Sequence, residues 1–151
     1  MLVEDIMIKA VRTIGPDEAI RKAAAIICTN KISGVPVVDD QDNLLGIISE
    51  KDILKTLLPS FSEYIDDPIR SRDFEKMEEC YSELLTKPVK FIMTEKVYTI
   101  DGSDPALMAA SRMTLHGFRR IPVVAGEKLI GIVSLGDIHK AIFKRELDLD
   151  S

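Results

Sequence analysis

Gly46-Ile47-Ile48-Ser49-Glu50-Lys51-Asp52 returns later in the chain as Gly131-Ile132-Val133-Ser134-Leu135-Gly136-Asp137. Both stretches read G-h-h-S-x-x-D, with h apolar. The apolar residues suit the end of a strand. Ser followed three residues later by Asp is close to a capping box, the signal that starts a helix. Capping alone would account for one copy. Two copies, each with a glycine at the strand's end, point to a duplicated unit.

Working outward, the duplication extends in both directions. Ile6-Met7 recurs as Ile92-Met93, Val11, Thr13 and Ile14 as Val97, Thr99 and Ile100, Ala23-Ala24 as Ala109-Ala110, and Pro36-Val37-Val38 as Pro122-Val123-Val124. These share an offset of 86 residues, which falls to 85 after the turn near residue 40. A one-residue gap inside a turn is where a repeated fold tolerates it.

Each copy predicts the same elements. A short strand spans residues 11–14 and again 97–100. A turn follows, and then a helix whose N-cap is Asp17 in the first copy and Ser103 or Asp104 in the second, where Pro105 suits the first turn. Ile20, Ala23, Ala24 and Ile27 form one apolar face. Strands over 35–38 and 44–48 flank the turn Asp39-Asp40-Gln41-Asp42-Asn43. Closing helices run over about 50–58 and 135–144. The order is β-α-β-β-α, twice, a mixed α/β fold of α+β character. Neither small sheet can cover both its faces alone, so two packed copies are expected. The boundaries are 1–58 for the first repeat, 59–87 for an insert, 88–145 for the second repeat and 146–151 for a tail.

In the insert, Phe74, Met77, Tyr81 and Leu84 fall on one face of a predicted amphipathic helix, laid on the module or on a partner; a solvated linker helix is the plainer alternative. The opposite face is acidic. Residues 62–83 carry eight acids and three bases, so the whole net charge of −5 resides there. The remainder is balanced and shows no basic face, which excludes nucleic acid as an expected partner. The longest uninterrupted apolar run, residues 23–28, is far short of the roughly 20 residues that span a bilayer. No targeting segment opens the chain, and a cytoplasmic location is expected. Cys28 and Cys80 belong to no C-x-x-C motif and read as reduced thiols rather than a disulfide or a zinc site.

The Ser-x-x-Asp stretches are also the strongest chemical signal. A serine hydroxyl and free N–H groups at a helix N-terminus can hold an anion. A carboxylate one turn further in can accept two hydrogen bonds from a ribose diol. His116 and His139 are isolated, and no Ser-His-Asp set, Walker-type loop or H-E-x-x-H helix is present. The reading is a binding module without a catalytic centre, a required cofactor or a metal.

The pattern h-P-V-V, turn, L-h-G-h-h-S-x-x-D-h, found twice, resembles the cystathionine-β-synthase (CBS) domain, whose tandem pair is called a Bateman module. The resemblance covers about residues 4–55 and 90–144. It implies a pair of repeats with pseudo-twofold symmetry and two clefts that take AMP, ADP, ATP, S-adenosylmethionine or similar ligands. It assigns ribose and phosphate contacts to Ser49 with Asp52 and to Ser134 with Asp137. The positions that the resemblance sets against phosphate are Ser33 and Gly34 in the first repeat and Arg119 and Arg120 in the second; guanidinium groups can make charge-assisted contacts that Ser-Gly cannot, so phosphate is expected near the arginines. Adenine is expected against Thr13, Ile14, Val35 and Pro36, and against Thr99, Ile100, Ile121 and Pro122. By the same resemblance Thr13 goes with Asp137 and Thr99 with Asp52.

The expected function is that of an adenine-nucleotide or S-adenosylmethionine sensor. It would act as a homodimer and signal to an effector protein through the insert or the tail. Two alternatives stay open. One is a ligand-free structural dimerisation module. The other is a divalent-cation sensor using acids such as Asp66 and Asp67, although no ligand-loop spacing supports it.

Overall fold

Ser49 and Ser134 each start a helix. Both sit in extended backbone at the N-cap, of α3 (Glu50–Leu57) and α8 (Leu135–Glu146), and each hydroxyl accepts the N–H three residues on. The apolar residues before them end β2 (Leu44–Ser49) and β5 (Lys128–Ser134). Their hairpin partners are β1 (Gly34–Val38) and β4 (Arg120–Ala125), and the helices ahead of these are α2 (Ile20–Asn30) and α7 (Ala106–His116). A two-residue β3 (Ile100–Asp101) runs parallel to β4. α1 (Val3–Ile6) opens the chain, and the insert holds α4 (Phe61–Asp66), a 3-10 turn at Arg70–Arg72, α5 (Phe74–Glu79) and α6 (Tyr81–Leu84). The fold is α+β and tandemly repeated. The computed structural model describes residues 1–58 and 61–149; Pro59, where the insert begins, and Asp150 and Ser151, which end the tail, lie outside the described residues.

The described chain forms two compact units: residues 12–40 with 45–58 and 61–96, and residues 1–11 with 41–44 and 97–149. Their cores are the same set of positions filled twice. Ile14, Ile20, Ala23, Ile27, Val35, Val37, Ile48, Ile53 and Val89 make one; Ile100, Ala106, Ala109, Met113, Ile121, Val123, Val133, Ile138 and Val3 make the other. Ala106 stands where the first core has Ile20, and Met113, of nearly equal volume, where it has Ile27. Each fully buried aliphatic side chain contributes about 1.5–3 kcal/mol.

The two cores also show that the repeats exchange their leading segments. Val89 precedes the second repeat in sequence but lies in the core of the first, and Val3 does the converse. Matching backbone bonds hold each leader. Ile20 N–H donates to the Lys87 carbonyl and Val89 N–H to the Glu18 carbonyl; at the equivalent positions Ala106 N–H donates to Met1 and Val3 N–H to Asp104. Further along, Thr94 pairs with Ile47 on the open edge of β2, and Ile8 pairs with Ile132 on β5, each through reciprocal N–H to carbonyl bonds.

Three local expectations need correction. The strand expected over 11–14 reduces to a single parallel bridge, Ile14 to Val37, and the one over 97–100 to β3, because the chain meets the sheet only at the last predicted residue. The helix caps are Ala19 and Pro105, not Asp17, Ser103 or Asp104. Glu18 and Asp104 instead close the preceding turns by accepting the N–H of Gly15 and Asp101, Asp17 pairs with Lys90, and the leaders supply backbone acceptors to the helix starts. The amphipathic helix of the insert is broken at Cys80 into α5 and α6; Leu84 is buried and Tyr81 packs beside it, whereas Phe74 is 60% exposed.

Candidate ligand-binding site

In the unit that contains α8, the sheet and the helix start bring Arg119, Arg120, Ser134 and Asp137 together. Leu135 N–H donates to the Arg119 carbonyl at 2.9 Å, and Arg120 lies directly across from Ser134 in the β4–β5 ladder. Both arginines are exposed, and neither takes part in an ion pair among the described residues. Ser134 Oγ accepts Asp137 N–H at 3.0 Å, and Asp137 Oδ2 accepts Ser134 N–H at 3.4 Å. Backbone bond and strand register thus set two exposed arginines, in ion pairs with none of the described residues, next to a helix N-terminus, a combination suited to an anion such as phosphate.

The other unit repeats the backbone geometry with different side chains. Glu50 N–H donates to the Ser33 carbonyl at 2.9 Å, the counterpart of the Leu135–Arg119 bond. Ser33 and Gly34 stand where the arginines are, so no cation is supplied at this edge. Asp52 is more heavily engaged than Asp137. Its Oδ2 accepts Ser49 N–H at 2.9 Å and Ser49 Oγ–H at 3.0 Å, and its Oδ1 accepts the Thr94 hydroxyl at 2.9 Å. Thr94 was not among the expected residues. The signal was present in the sequence as a break in the repeat: Ile6-Met7-Ile8 becomes Ile92-Met93-Thr94.

Of the positions expected near adenine, Ile14, Val35, Ile100 and Ile121 are at most 2% exposed, and Pro36 and Pro122 are buried with them. Their side chains belong to the cores, which leaves backbone atoms as what they can offer a base. Thr13 and Thr99 are half-buried, and the Thr99 carbonyl accepts a hydrogen bond from the Arg112 guanidinium, a second contact that the sequence did not announce. A cleft of about 870 Å³ lies elsewhere, lined by Lys51, Leu54, Lys55 and Leu58 and by Asp67, Arg70 and Met77 of the insert, and none of the residues expected to contact an adenosyl ligand borders it. Asp67, one of the acids of the cation-sensor alternative, accepts the Arg70 N–H and pairs with its guanidinium. His116 stacks on Tyr98, with ring centroids 4.1 Å apart, and His139 on Phe143. No helix among the described residues is long and apolar enough to cross a membrane.

Comparison with known proteins agrees with this duplicated architecture. The uncharacterized protein MJ1426 of Methanocaldococcus jannaschii is 36% identical over an alignment covering 94% of this chain and 91% of its own. For several other curated relatives, the chain spans less than half their length. Among solved structures, CBSX2 in complex with AMP is 28% identical, with a TM-score of 0.71 over 96% of this chain and 98% of that one. The CBS domain pair of protein MJ0100, solved with 5′-methylthioadenosine and S-adenosyl-L-methionine, is 27% identical, with a TM-score of 0.68 over 96% and 98%. The CBS domain model matches residues 3–59 and 89–144, each spanning one copy of the Ser-x-x-Asp motif, and the chain belongs to the CBS domain family as a tandem pair.

Proposed function

We propose that the chain is a regulatory module that binds an adenosine-containing ligand, AMP, ADP, ATP or S-adenosylmethionine, and performs no chemistry on it. The observation that carries this reading is that two exposed arginines, Arg119 and Arg120, in ion pairs with none of the described residues, are joined by backbone bond and strand register to the start of α8 and to Ser134. Asp137 and Asp52 would take ribose hydroxyls, the serines and arginines phosphate, and the backbone of the buried strands the adenine edge. The relatives solved with AMP and with S-adenosyl-L-methionine support the ligand class.

Output would pass to a separate effector protein. A homodimer is part of the proposal, supported by Leu107, Met108 and Phe143, which leave apolar surface exposed on α7 and α8. Two exposed, unbridged cysteines fit a reducing, cytoplasmic setting. The second reading, a ligand-free structural module, is favoured by the capping boxes, which give Ser and Asp a folding role without any ligand.

Thermal unfolding against AMP, ADP, ATP, S-adenosylmethionine and GTP separates the two. A ligand at 100 times its Kd stabilises the native state by about 2.7 kcal/mol, a shift of several degrees for a chain of this size. A shift with adenosyl ligands that Arg119→Ala with Arg120→Ala reduces supports the sensor. No shift at millimolar ligand supports the structural module.

A further inference from the structure

The two motif carboxylates differ in how many hydrogen bonds they have left to accept. A carboxylate offers about four lone-pair positions. Asp52 already accepts three donors: Ser49 N–H, Ser49 Oγ–H and the Thr94 hydroxyl. Among the described residues Asp137 accepts one, the Ser134 N–H at 3.4 Å, which is at the weak end of hydrogen-bond geometry. A cis-diol brings two donors to one carboxylate. Asp137 can accept both without losing anything, whereas Asp52 must first release a donor.

One of the two extra donors on Asp52 traces to a single position. Thr94 and Ile8 occupy equivalent places in the exchanged leaders, each bonded through its backbone to the strand that precedes the motif serine. Thr94 carries a hydroxyl within reach of its motif aspartate; Ile8 carries only a hydrocarbon. Ser134 shows the same asymmetry, since its hydroxyl proton is given to no acceptor among the described residues, while Ser49 donates to Asp52.

We propose that Thr94 is an internal competitor for the Asp52 carboxylate, so that the two motif sites are unequal: Asp137 is the primary diol acceptor, and the Asp52 site is held in a self-satisfied, weaker state. This rests on the adenosyl-ligand reading above and adds to it which site fills first and which residue sets the order. Removing the Thr94 hydroxyl frees one acceptor position on Asp52, and the expected gain at that site is about fivefold, the size of one net hydrogen bond.

The test is calorimetric titration of the full chain with AMP, ATP and S-adenosylmethionine. Wild type should show a tighter class that Asp137→Ala weakens at least tenfold and Asp52→Ala changes less than threefold. Thr94→Val, nearly the same shape without the hydroxyl, should tighten the weaker class about fivefold, and Thr94→Ser should behave as wild type. If Asp52→Ala abolishes the tighter class, or Thr94→Val weakens binding, Thr94 is a ligand contact or a bystander and the inference fails while the sensor reading stands. If none of the three ligands binds wild type or Thr94→Val, the sensor reading itself fails, and the inference with it. Circular dichroism of each variant shows whether loss of binding reflects loss of fold.

Discussion

The Thr94 carbonyl lies so close to Gly46 that a methyl group on that glycine would stand 2.6 Å from its oxygen. Gly131 is in the same position against the other leader, where a methyl would stand 2.9 Å from the Ile8 carbonyl oxygen and 2.7 Å from Met7 Sδ. The motif glycines are therefore required by the crossing of a backbone, independently of any ligand. Gly46→Ala should push Thr94 off the β2 edge and cost about 2 kcal/mol, within the range for overpacking a close contact. Gly136, in the first turn of α8, has nothing nearer than Ser134 Oγ at 3.8 Å. Gly136→Ala should instead stabilise by about 0.5–1 kcal/mol, because alanine gains helix propensity there at no steric cost. Urea denaturation of the variants reads both signs.

Lys31 and Gly117 end equivalent helices in the same left-handed backbone. α2 finishes at Lys31 with φ 52°, and α7 at Gly117 with φ 73°. A side chain with a Cβ carries about 1–2 kcal/mol of strain in that region. Lys31→Gly should therefore stabilise the protein by about 0.5–1 kcal/mol, after the greater freedom of glycine in the unfolded chain is counted. Gly117→Lys should cost about as much in the opposite direction. A rise in urea midpoint for the first variant and a fall for the second, with unchanged slope, is the expected pair of results.

The elements that were legible in the sequence are those whose causes are local. Ser49 with Asp52 and Ser134 with Asp137 mark their helix starts because the capping partners are three residues apart. The hairpin strands follow from apolar runs bounded by turn residues, and the core face of α2 from the spacing of Ile20, Ala23 and Ile27. What could not be read depends on partners distant in sequence. The N–H of Ala106 is met by the Met1 carbonyl and that of Ile20 by Lys87, so the cap residues of α7 and α2 need no side-chain acceptor. Spacing likewise showed which face of the insert is apolar, but not that its helix breaks at Cys80 or that Phe74 stays outside the core. Arg119 and Arg120 stood out as a departure from the first repeat. Thr94 was the same kind of departure, and its meaning emerged only when the fold brought it to Asp52.

The exchange of leaders makes a reciprocal prediction. Val3 is fully buried with Ile100 and Met113, and Val89 is fully buried with Ile14 and Ile27. Val3→Ala should cost about 2 kcal/mol, from two lost methyl groups and the space they leave. Its effect on amide hydrogen exchange should concentrate in α7, which follows it by a hundred residues, and spare α2, its neighbour in sequence. Val89→Ala should do the reverse. Faster exchange in α2 after Val3→Ala, with α7 unchanged, would contradict the exchanged arrangement.

Glu18 offers a prediction in pH. Its carboxylate bonds the Lys22 ammonium and also accepts Gly15 N–H at 2.7 Å. The hydrogen bond from Lys22, followed by the backbone bond from Gly15, holds its pKa below the ordinary glutamate value. A depressed carboxylate contributes stability that is fully present above the unfolded-state value of about 4.3 and is lost as pH falls through the lower folded-state value. The Glu18 side chain is 38% exposed and Lys22 more so, so solvent screens the pair and the contribution is small. Wild type should melt slightly above Glu18→Gln at neutral pH, by a constant margin down to about pH 5, and the margin should close in stronger acid. At molar salt, where the screening length falls to about 3 Å, the neutral-pH margin should shrink because its ionic part is screened. A margin that grows on acidification would mean that the Glu18 carboxyl is raised by burial rather than lowered by its partners.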